Sequence, residues 1–430
     1  MPIVDIFQLA AGKFYLLPFQ ARKGLYLVIS GVATITVALS SSSIPIGVSF
    51  NFVGTSPSLT PVIGDAVLAV TRAANTATRV NASGLIAGVN ANLPRFDYDP
   101  VALVSEGLLV EEESTNLFYP SDYSTVAGEG SPPTTVTPNV AVSPDGTTNA
   151  ARVDGNATNN GVPFYFIATA DVYNWSVWLK AGTSANVYVR IYDTVVGAFV
   201  ASVTVQPTGT WARATVNSAS ALVAGRLYGA YVYSDPGSKS FYVWGGDLEV
   251  GAFPTSYIPT TSTAVTRNLD GVRCANISGF WNAIEGTQYL EFETAPGIGS
   301  ANQYVASFDD GTANQRIEVY RNTSREIHCV VINGGVTQCD LNLGTLADST
   351  IGKVAFAVEA NSFSASLNGG AVVTDSAGTM PTVTVCNLGQ DYAGANQLGG
   401  HERQIAYFSS RQADAILVDL SGGDFPNFGG

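Results

Sequence analysis

The sequence predicts an all-β protein, a tandem of antiparallel β-sandwiches. Three observations carry this. Apolar residues alternate with polar ones at period two along most of the chain, and helical periodicity is confined to one short stretch near the end. Turn dipeptides recur between the alternating runs, at Asp145-Gly146, Asp270-Gly271, Asp310-Gly311 and Asn333-Gly334. No repeat of about 20 to 50 residues emerges, which disfavours a propeller or solenoid, and a parallel β-helix is disfavoured with them.

Along the chain, the first apolar stretch is "GLYLVISGVATITVALSSSSIPIGVSF", Gly24 to Phe50. Its unbroken apolar part is too short for a membrane span, and Ile35, Val37 and Leu39 alternate with Thr34, Thr36 and Ala38, a strand signal. The opening "MPIVDIFQLAAG" has no basic segment ahead of an apolar one, so no secretory leader is expected and folding in the cytosol is. Residues 1–76 read as a small β-rich N-terminal domain, and 77–94, rich in small residues, as a connector or extended interchain segment.

The block 95–267 opens on "RFDYDP" and the triplet Glu111-Glu112-Glu113. Neighbours on a strand face opposite ways, so the three carboxylates cannot converge, and no facing carboxylate is specified as a glycosidase requires. A structural role is expected, with Arg95 or Arg152 as partner. Farther on, Val187, Val189 and Ile191 share one face of a strand and Tyr188, Arg190 and Tyr192 the other. In the last block, 268–430, Leu290 and Phe292 lie opposite Tyr289, Glu291 and Glu293, and Phe363, Ala365 and Leu367 line one face before an Asn368-Gly369 turn. Ala413, Ile416, Leu417 and Leu420 fall at helical spacing, with Ser410 to cap the start and Gly422 at the end, which predicts a short helix lying as a lid on a sheet.

Composition bounds the functions. Charged residues make up 13% of the 430, about half the usual share. Mean hydropathy is +0.18. Such a surface predicts broad contacts between the subunits of an oligomer. The net charge of −14 repels phosphate backbones and anionic lipid, so neither nucleic-acid binding nor membrane insertion is expected.

Candidate sites are few. Trp175, Trp178, Tyr188, Tyr192, Tyr231, Tyr233, Tyr242 and Trp244 crowd the central block, and sugar rings stack on such side chains. Trp175 and Trp178 are an odd number of residues apart, so one belongs to a core. Trp178, Tyr188, Tyr192 and Tyr233 are the candidate glycan-binding residues. Asp309, Asp310 and Asn314 offer oxygen ligands for calcium but match no loop signature, and a hairpin turn is the better reading. His328 is followed directly by Cys329, which faces the other side, and His401 stands alone, so no zinc site is expected. With two histidines and no GxSxG elbow, a hydrolase triad is not expected, nor is any cofactor. A three-residue Asn333-Gly334-Gly335 loop would set Cys329 opposite Cys339; folding in a reducing cytosol predicts free buried thiols nonetheless. Cys274 and Cys386 carry no partner signal.

Five motifs in order resemble bacteriophage fibre and spike proteins: the segment from "ATRVNASGLIAG" to "EEESTNLF" (residues 77–118), "SPDGTTNAARV" (143–153), "WSVWLKAGTS" (175–184), "TWARATV" (210–216) and "VWGGDLEVGAFPTSYIPTTSTAVTR" (243–267). The central block resembles carbohydrate-binding jelly rolls in pattern. The last block, closing on "IAYFSSRQADAILVDL", is similar to concanavalin-like or laminin-G-like sandwiches appended to such fibres. The first roughly 75 residues match no family. The resemblance implies a homotrimeric structural component of the virion, attached through its N-terminal region to tail or head proteins and adhering to host surface polysaccharide. Tail placement is expected ahead of a head-attached fibre or decoration. A polysaccharide-degrading tailspike would need facing carboxylates, and a cellular lectin a secretion signal.

Overall fold

Two antiparallel β-sandwiches account for most of the computed structural model, which describes residues 46–54, 56–124, 134–155 and 161–423. The alternating stretch at residues 34–39 and the start of the chain lie outside the described residues.

In the larger sandwich, an eight-stranded sheet runs in the order Val373–Asp375, Ser362–Leu367, Ile351–Glu359, Glu285–Glu293, Gly400–Phe408, Ser105–Val110 and Phe96–Tyr98, with Ile46–Asn51 also paired to Gly400–Phe408. The facing seven-stranded sheet runs Leu68–Thr71, Gly271–Cys274, Val385–Leu388, Gln303–Asp309, Gln315–Arg321, Glu326–Asn333 and Val336–Thr345. The expected alternation is what fills the space between them. Leu290 and Phe292 point into the shared core with Phe308, Val319 and Phe356, and Phe363 and Ala365 join from the neighbouring strand. Tyr289, on the opposite face, packs beneath the C-terminal helix Asp414–Gly422 with Leu417 and Leu420. That helix is the expected lid. Its N-cap is Ala413, without a side-chain cap bond, rather than Ser410, whose hydroxyl is taken by Gln412 Nε2 at 2.8 Å.

Residues 134–250 form the second sandwich. One sheet runs Ala212–Asn217, Tyr173–Ala181, Lys239–Val250, Ala150–Gly155 and Thr134–Ala141; the other runs Gly161–Ile167, Leu227–Ser234, Val187–Asp193 and Ala198–Val205. The chain passes repeatedly from one sheet to the other, as in a jelly roll. Trp175, Val177, Val187, Val189, Ile191 and Phe241 interdigitate in its core, as the period-two pattern requires.

Strand pairing cuts across the linear blocks 1–76, 77–94, 95–267 and 268–430. Ile46–Asn51, Leu68–Thr71, Phe96–Tyr98 and Ser105–Val110 all complete the sandwich whose other strands come after residue 270, so the smaller sandwich is inserted into the larger. The stretch expected as a connector contains a hairpin, Ala77–Val80 against Ile86–Val89.

Two turn expectations change. Asp270-Gly271 is not a turn: Asp270 is buried and Gly271 begins a strand. The loop at Asn333 has two residues, not three. Gly334 and Gly335, with φ of 63° and 75°, link paired Asn333 and Val336, and a bulge then sets Cys329 opposite Leu341 and Cys339 opposite Val331. Cys329 and Cys339 are therefore not register partners. Cys274 and Cys386 are, across adjacent strands, and all four thiols are free and buried. No helix among the described residues is long and apolar enough to cross a membrane.

Candidate functional site

The outer face of the four-stranded sheet is an aromatic platform. Because Val187, Val189 and Ile191 point inward, Tyr188, Arg190 and Tyr192 point out. Register places Tyr233 beside Tyr188 and Tyr231 beside Arg190 on the next strand, and Tyr165 beside Gly229 on the strand beyond. On the other side a bulge brings Phe199 opposite Tyr192. Ring centroids lie 5.4 Å apart for Tyr188–Tyr233, 5.2 Å for Tyr192–Phe199, 5.8 Å for Tyr192–Tyr231 and 6.0 Å for Tyr165–Tyr231. Tyr165 and Phe199 are 51% and 45% exposed and open to solvent, Tyr188, Tyr192 and Tyr231 are half-buried, and Tyr233, at 5%, is buried beneath its neighbours. Gly229 makes room for it: a Cβ there would meet Cε2 of Tyr231 at 2.3 Å, so the Tyr231 ring lies over the glycine.

Hydroxyls around the rings are held in place. Tyr188 donates to Asp235 Oδ1 at 3.1 Å, and Asp235 is fixed in turn by the backbone N–H of Asn186 at 2.8 Å. Tyr165 and Tyr231 share a hydrogen bond of 2.8 Å. Burial pushes the Tyr233 and Tyr231 hydroxyls upward from the usual tyrosine range, so both remain neutral donors at physiological pH.

Of the four expected residues, Tyr188, Tyr192 and Tyr233 meet on this face and Trp178 does not. Trp178 belongs to the other sheet. Its ring lies 5.5 Å from Trp244 and 5.4 Å from Tyr257, with the Arg213 guanidinium 4.5 Å from its centroid. Trp175 is the core member of the pair, fully buried. Tyr165, Phe199 and Tyr231 complete the platform. The alternation of "YVRIYD" and "LYGAYVYS" marks outward aromatics, but which strands adjoin is a tertiary fact.

Glu111 answers to a different geometry. It is buried, with its carboxylate 2.7 Å from Arg95 Nη1 and 3.6 Å from Arg267 Nη2, and it also accepts from the N–H and hydroxyl of Ser256, each at 2.7 Å. Asp270 pairs with Arg95 and with Arg72 Nη1, the latter at 2.7 Å. Burial alone would raise the Glu111 pKa, but the Arg267 and Arg95 guanidiniums outweigh it and hold it far below the usual range. The expected partner Arg95 is thus present. Arg152 instead meets Asp154 at 2.8 Å on the surface. This ionic hub ties residues 95–111 to Arg72 and to residues 256–270, and it keeps Glu111 ionised.

Beside the hub lies a cavity of about 290 Å³, lined among others by Trp178 and Arg213 on one side and Asp97, Glu106, Glu293 and His401 on the other. His401 is not isolated as the sequence suggested. Nδ1 is 3.0 Å from Glu293 Oε2 and Nε2 is 3.3 Å from Asp97 Oδ2. Burial would lower its pKa, but those hydrogen bonds raise it to about 10, so the ring is a cation among carboxylates. Asp97, Glu106 and His401 present ligand atoms within 4.8 Å of one another, the one such group among the described residues, and the histidinium already supplies positive charge there. The calcium candidates do not converge. Asp309 is buried and accepts from Ser307, Gly311 and Asn387, while Asp310 caps the exposed turn through Thr312.

No protein-family model matches the chain, and no curated protein does. Solved structures show partial likeness. The CBM40 domain of a Ruminococcus gnavus IT-sialidase, bound to α2,3-sialyllactose, is 17% identical over 33% of this chain and 84% of its own, with a TM-score of 0.29. A tandem CBM22 from Paenibacillus barcinonensis Xyn10C is 12% identical over 70% of this chain and 96% of its own, with a TM-score of 0.25. An SAP-like pentraxin from Limulus polyphemus is 10% identical over 34% and 73%, also at 0.25. At these scores the likenesses carry no weight; the fold rests on the strand pairing itself.

Proposed function

We propose that the chain is a structural, non-enzymatic component of a bacteriophage particle, a tail fibre or spike that adheres to host surface polysaccharide through the outer face of its four-stranded sheet. The observation that carries the adhesive part is the platform of Tyr165, Tyr188, Tyr192, Phe199 and Tyr231, laid around the buried Tyr233. A monomer gains nothing by leaving such a layer open to water, whereas a sugar ring covers it with C–H faces and finds donors and acceptors at its edge. The virion assignment is supported by the five ordered motifs. Self-association, as a homotrimer, is supported by apolar side chains left in solvent elsewhere, including Val67 at 75%, Val101 at 88% and Val104 at 58%. Many modest sites on one multimer give firm attachment through effective concentration.

The experiment is retention of the purified full-length protein on immobilised bacterial capsular polysaccharides and lipopolysaccharide O-chains, with new reducing ends assayed in parallel. Retention without cleavage is expected, and the Tyr192→Ala/Tyr231→Ala variant is expected to lose it. Retention that survives this variant sinks the platform reading, and new reducing ends would show a degrading spike instead.

A further inference from the structure

One charged side chain sits within the platform, and its surroundings differ from those of the other arginines. The Arg190 guanidinium carbon lies 4.5 Å from the ring centroid of Phe199, 4.6 Å from Tyr188 and 4.9 Å from Tyr233. Nε donates to Ser202 Oγ at 2.8 Å and Nη1 to the Tyr233 hydroxyl. Arg95, Arg213, Arg226, Arg316, Arg321 and Arg403 each pair with a carboxylate. Arg190, like Arg79 and Arg273, has no carboxylate partner among the described residues, although the chain carries 34 acidic residues against 20 basic ones, and of these three it is the one laid against aromatic rings. The nearby Asp235 is engaged by Tyr188 and Asn186.

Three rings and two hydroxyls hold the guanidinium in one orientation without neutralising it. The aromatic faces favour a cation but offer no hydrogen-bond acceptor in its plane, so Nη2 has no partner among the described residues. A planar fork fixed in this way matches a carboxylate, which accepts two parallel N–H bonds. The neighbouring Tyr192 and Tyr231 rings are where the remainder of a pyranose would lie.

We propose that the platform takes a saccharide bearing a carboxylate, with the carboxylate on Arg190 and the sugar ring against Tyr192 and Tyr231. This rests on the platform being the glycan site. Uronic acids and nonulosonic acids share the required chemistry. Because the chain as a whole is anionic, selection for an acidic sugar must come from this one fixed cation and not from the general field.

The test titrates the full-length protein, by calorimetry, with oligogalacturonate, with oligomers of N-acetylneuraminic acid, and with the methyl ester of each. The acid is expected to bind about tenfold to a hundredfold more tightly than its ester, and whichever acid does so identifies the source. On Arg190→Leu the acid is expected to bind no more tightly than its own ester. Equal binding of acid and ester by the unmodified protein overturns the proposal while leaving the platform standing, and this comparison needs no variant to fold. Failure of every acid and ester to bind, with neutral polysaccharide still retained and lost on Tyr192→Ala/Tyr231→Ala, also overturns it. If Arg190→Leu instead dissociates the oligomer, the face is a contact between copies and both readings fall.

Discussion

Replacing Arg95 by Met tests the claim that the acidic entry segment is a joint. The Arg95 side chain is fully buried and binds Glu111, Ser256, Thr78 and Asp270 at once. Breaking a buried ion pair by removing one partner typically costs 3–5 kcal/mol, because the other charge is stranded. Here neither carboxylate is wholly stranded: Glu111 keeps the Ser256 N–H at 2.7 Å and Arg267 at 3.6 Å, and Asp270 keeps Arg72 at 2.7 Å. The lower end applies, about 3 kcal/mol. With an m-value of about 3 kcal/mol/M, the urea midpoint followed by circular dichroism should fall by about 1 M. The double variant Arg95→Met/Glu111→Gln should lose less than its two single changes together, since the Arg95–Glu111 pair is lost only once, while Arg267 is left without its carboxylate in the double variant as in Glu111→Gln.

Sign matters for the pH arm. The Glu111 pKa is depressed in the folded protein, so its contribution is complete above the unfolded value of 4.5 and is lost as pH falls below it. The original protein should therefore lose stability below that pH more steeply than Glu111→Gln. A midpoint shift under about 0.3 M for Arg95→Met, or strict additivity in the double variant, would refute the joint.

Glu318 runs the other way. Burial raises its pKa to about 7 against the pull of Arg316 at 3.0 Å, so the folded state holds its proton more tightly than the unfolded state and stability falls as pH climbs from 4.5 to about 7. Glu318→Gln should recover about 3 kcal/mol at pH 8 and little at pH 4, measured by urea unfolding at both; equal gains at the two pH values would count against it. Gly229→Ala forces the Tyr231 ring off the sheet, because the new Cβ would sit 2.3 Å from it. Polysaccharide retention should drop at least tenfold while stability falls by about 1–2 kcal/mol, and retention unchanged in a folded variant would show that Tyr231 is idle.

The fold class, the inward and outward faces of individual strands and the C-terminal helix are legible in the sequence, because side-chain alternation is a local property that burial enforces directly. Connectivity is not. Nothing in "IGVSFN" or "LAVT" says that these strands pair with Gly400–Phe408, about 350 residues later, and with Gly271–Cys274, about 200 later, since pairing depends on which edges remain open once the rest has folded. The same limit explains the misreading of Asp270: Asp-Gly is a turn dipeptide by local preference, and only the arrival of Arg72 and Arg95 from distant segments makes it the centre of a buried network. Cys339 was displaced by two places, one from a loop of two residues in place of three and one from the bulge that follows it.

The placement of Trp178 exposes a division within the chain. The segments that resemble phage fibres supply Arg95 and Glu111, then Trp178, then Arg213, then Trp244, Asp247, Ser256, Tyr257 and Arg267, and these residues converge on the hub and the cavity beside it. The platform residues come from the intervals between those segments, on strands Gly161–Ile167, Val187–Asp193, Ala198–Val205 and Leu227–Ser234. Under the proposed function, a motif shared among fibres with different hosts suits a joint better than a contact with one particular glycan. A buried network of crossed ion pairs also tolerates little change, since each member strands another when lost, whereas outward side chains on a sheet can be exchanged at small cost to the core. Under the proposed function, the buried joint would serve assembly and the outer sheet face adhesion, with Arg190 and its aromatic neighbours on the adhesive side.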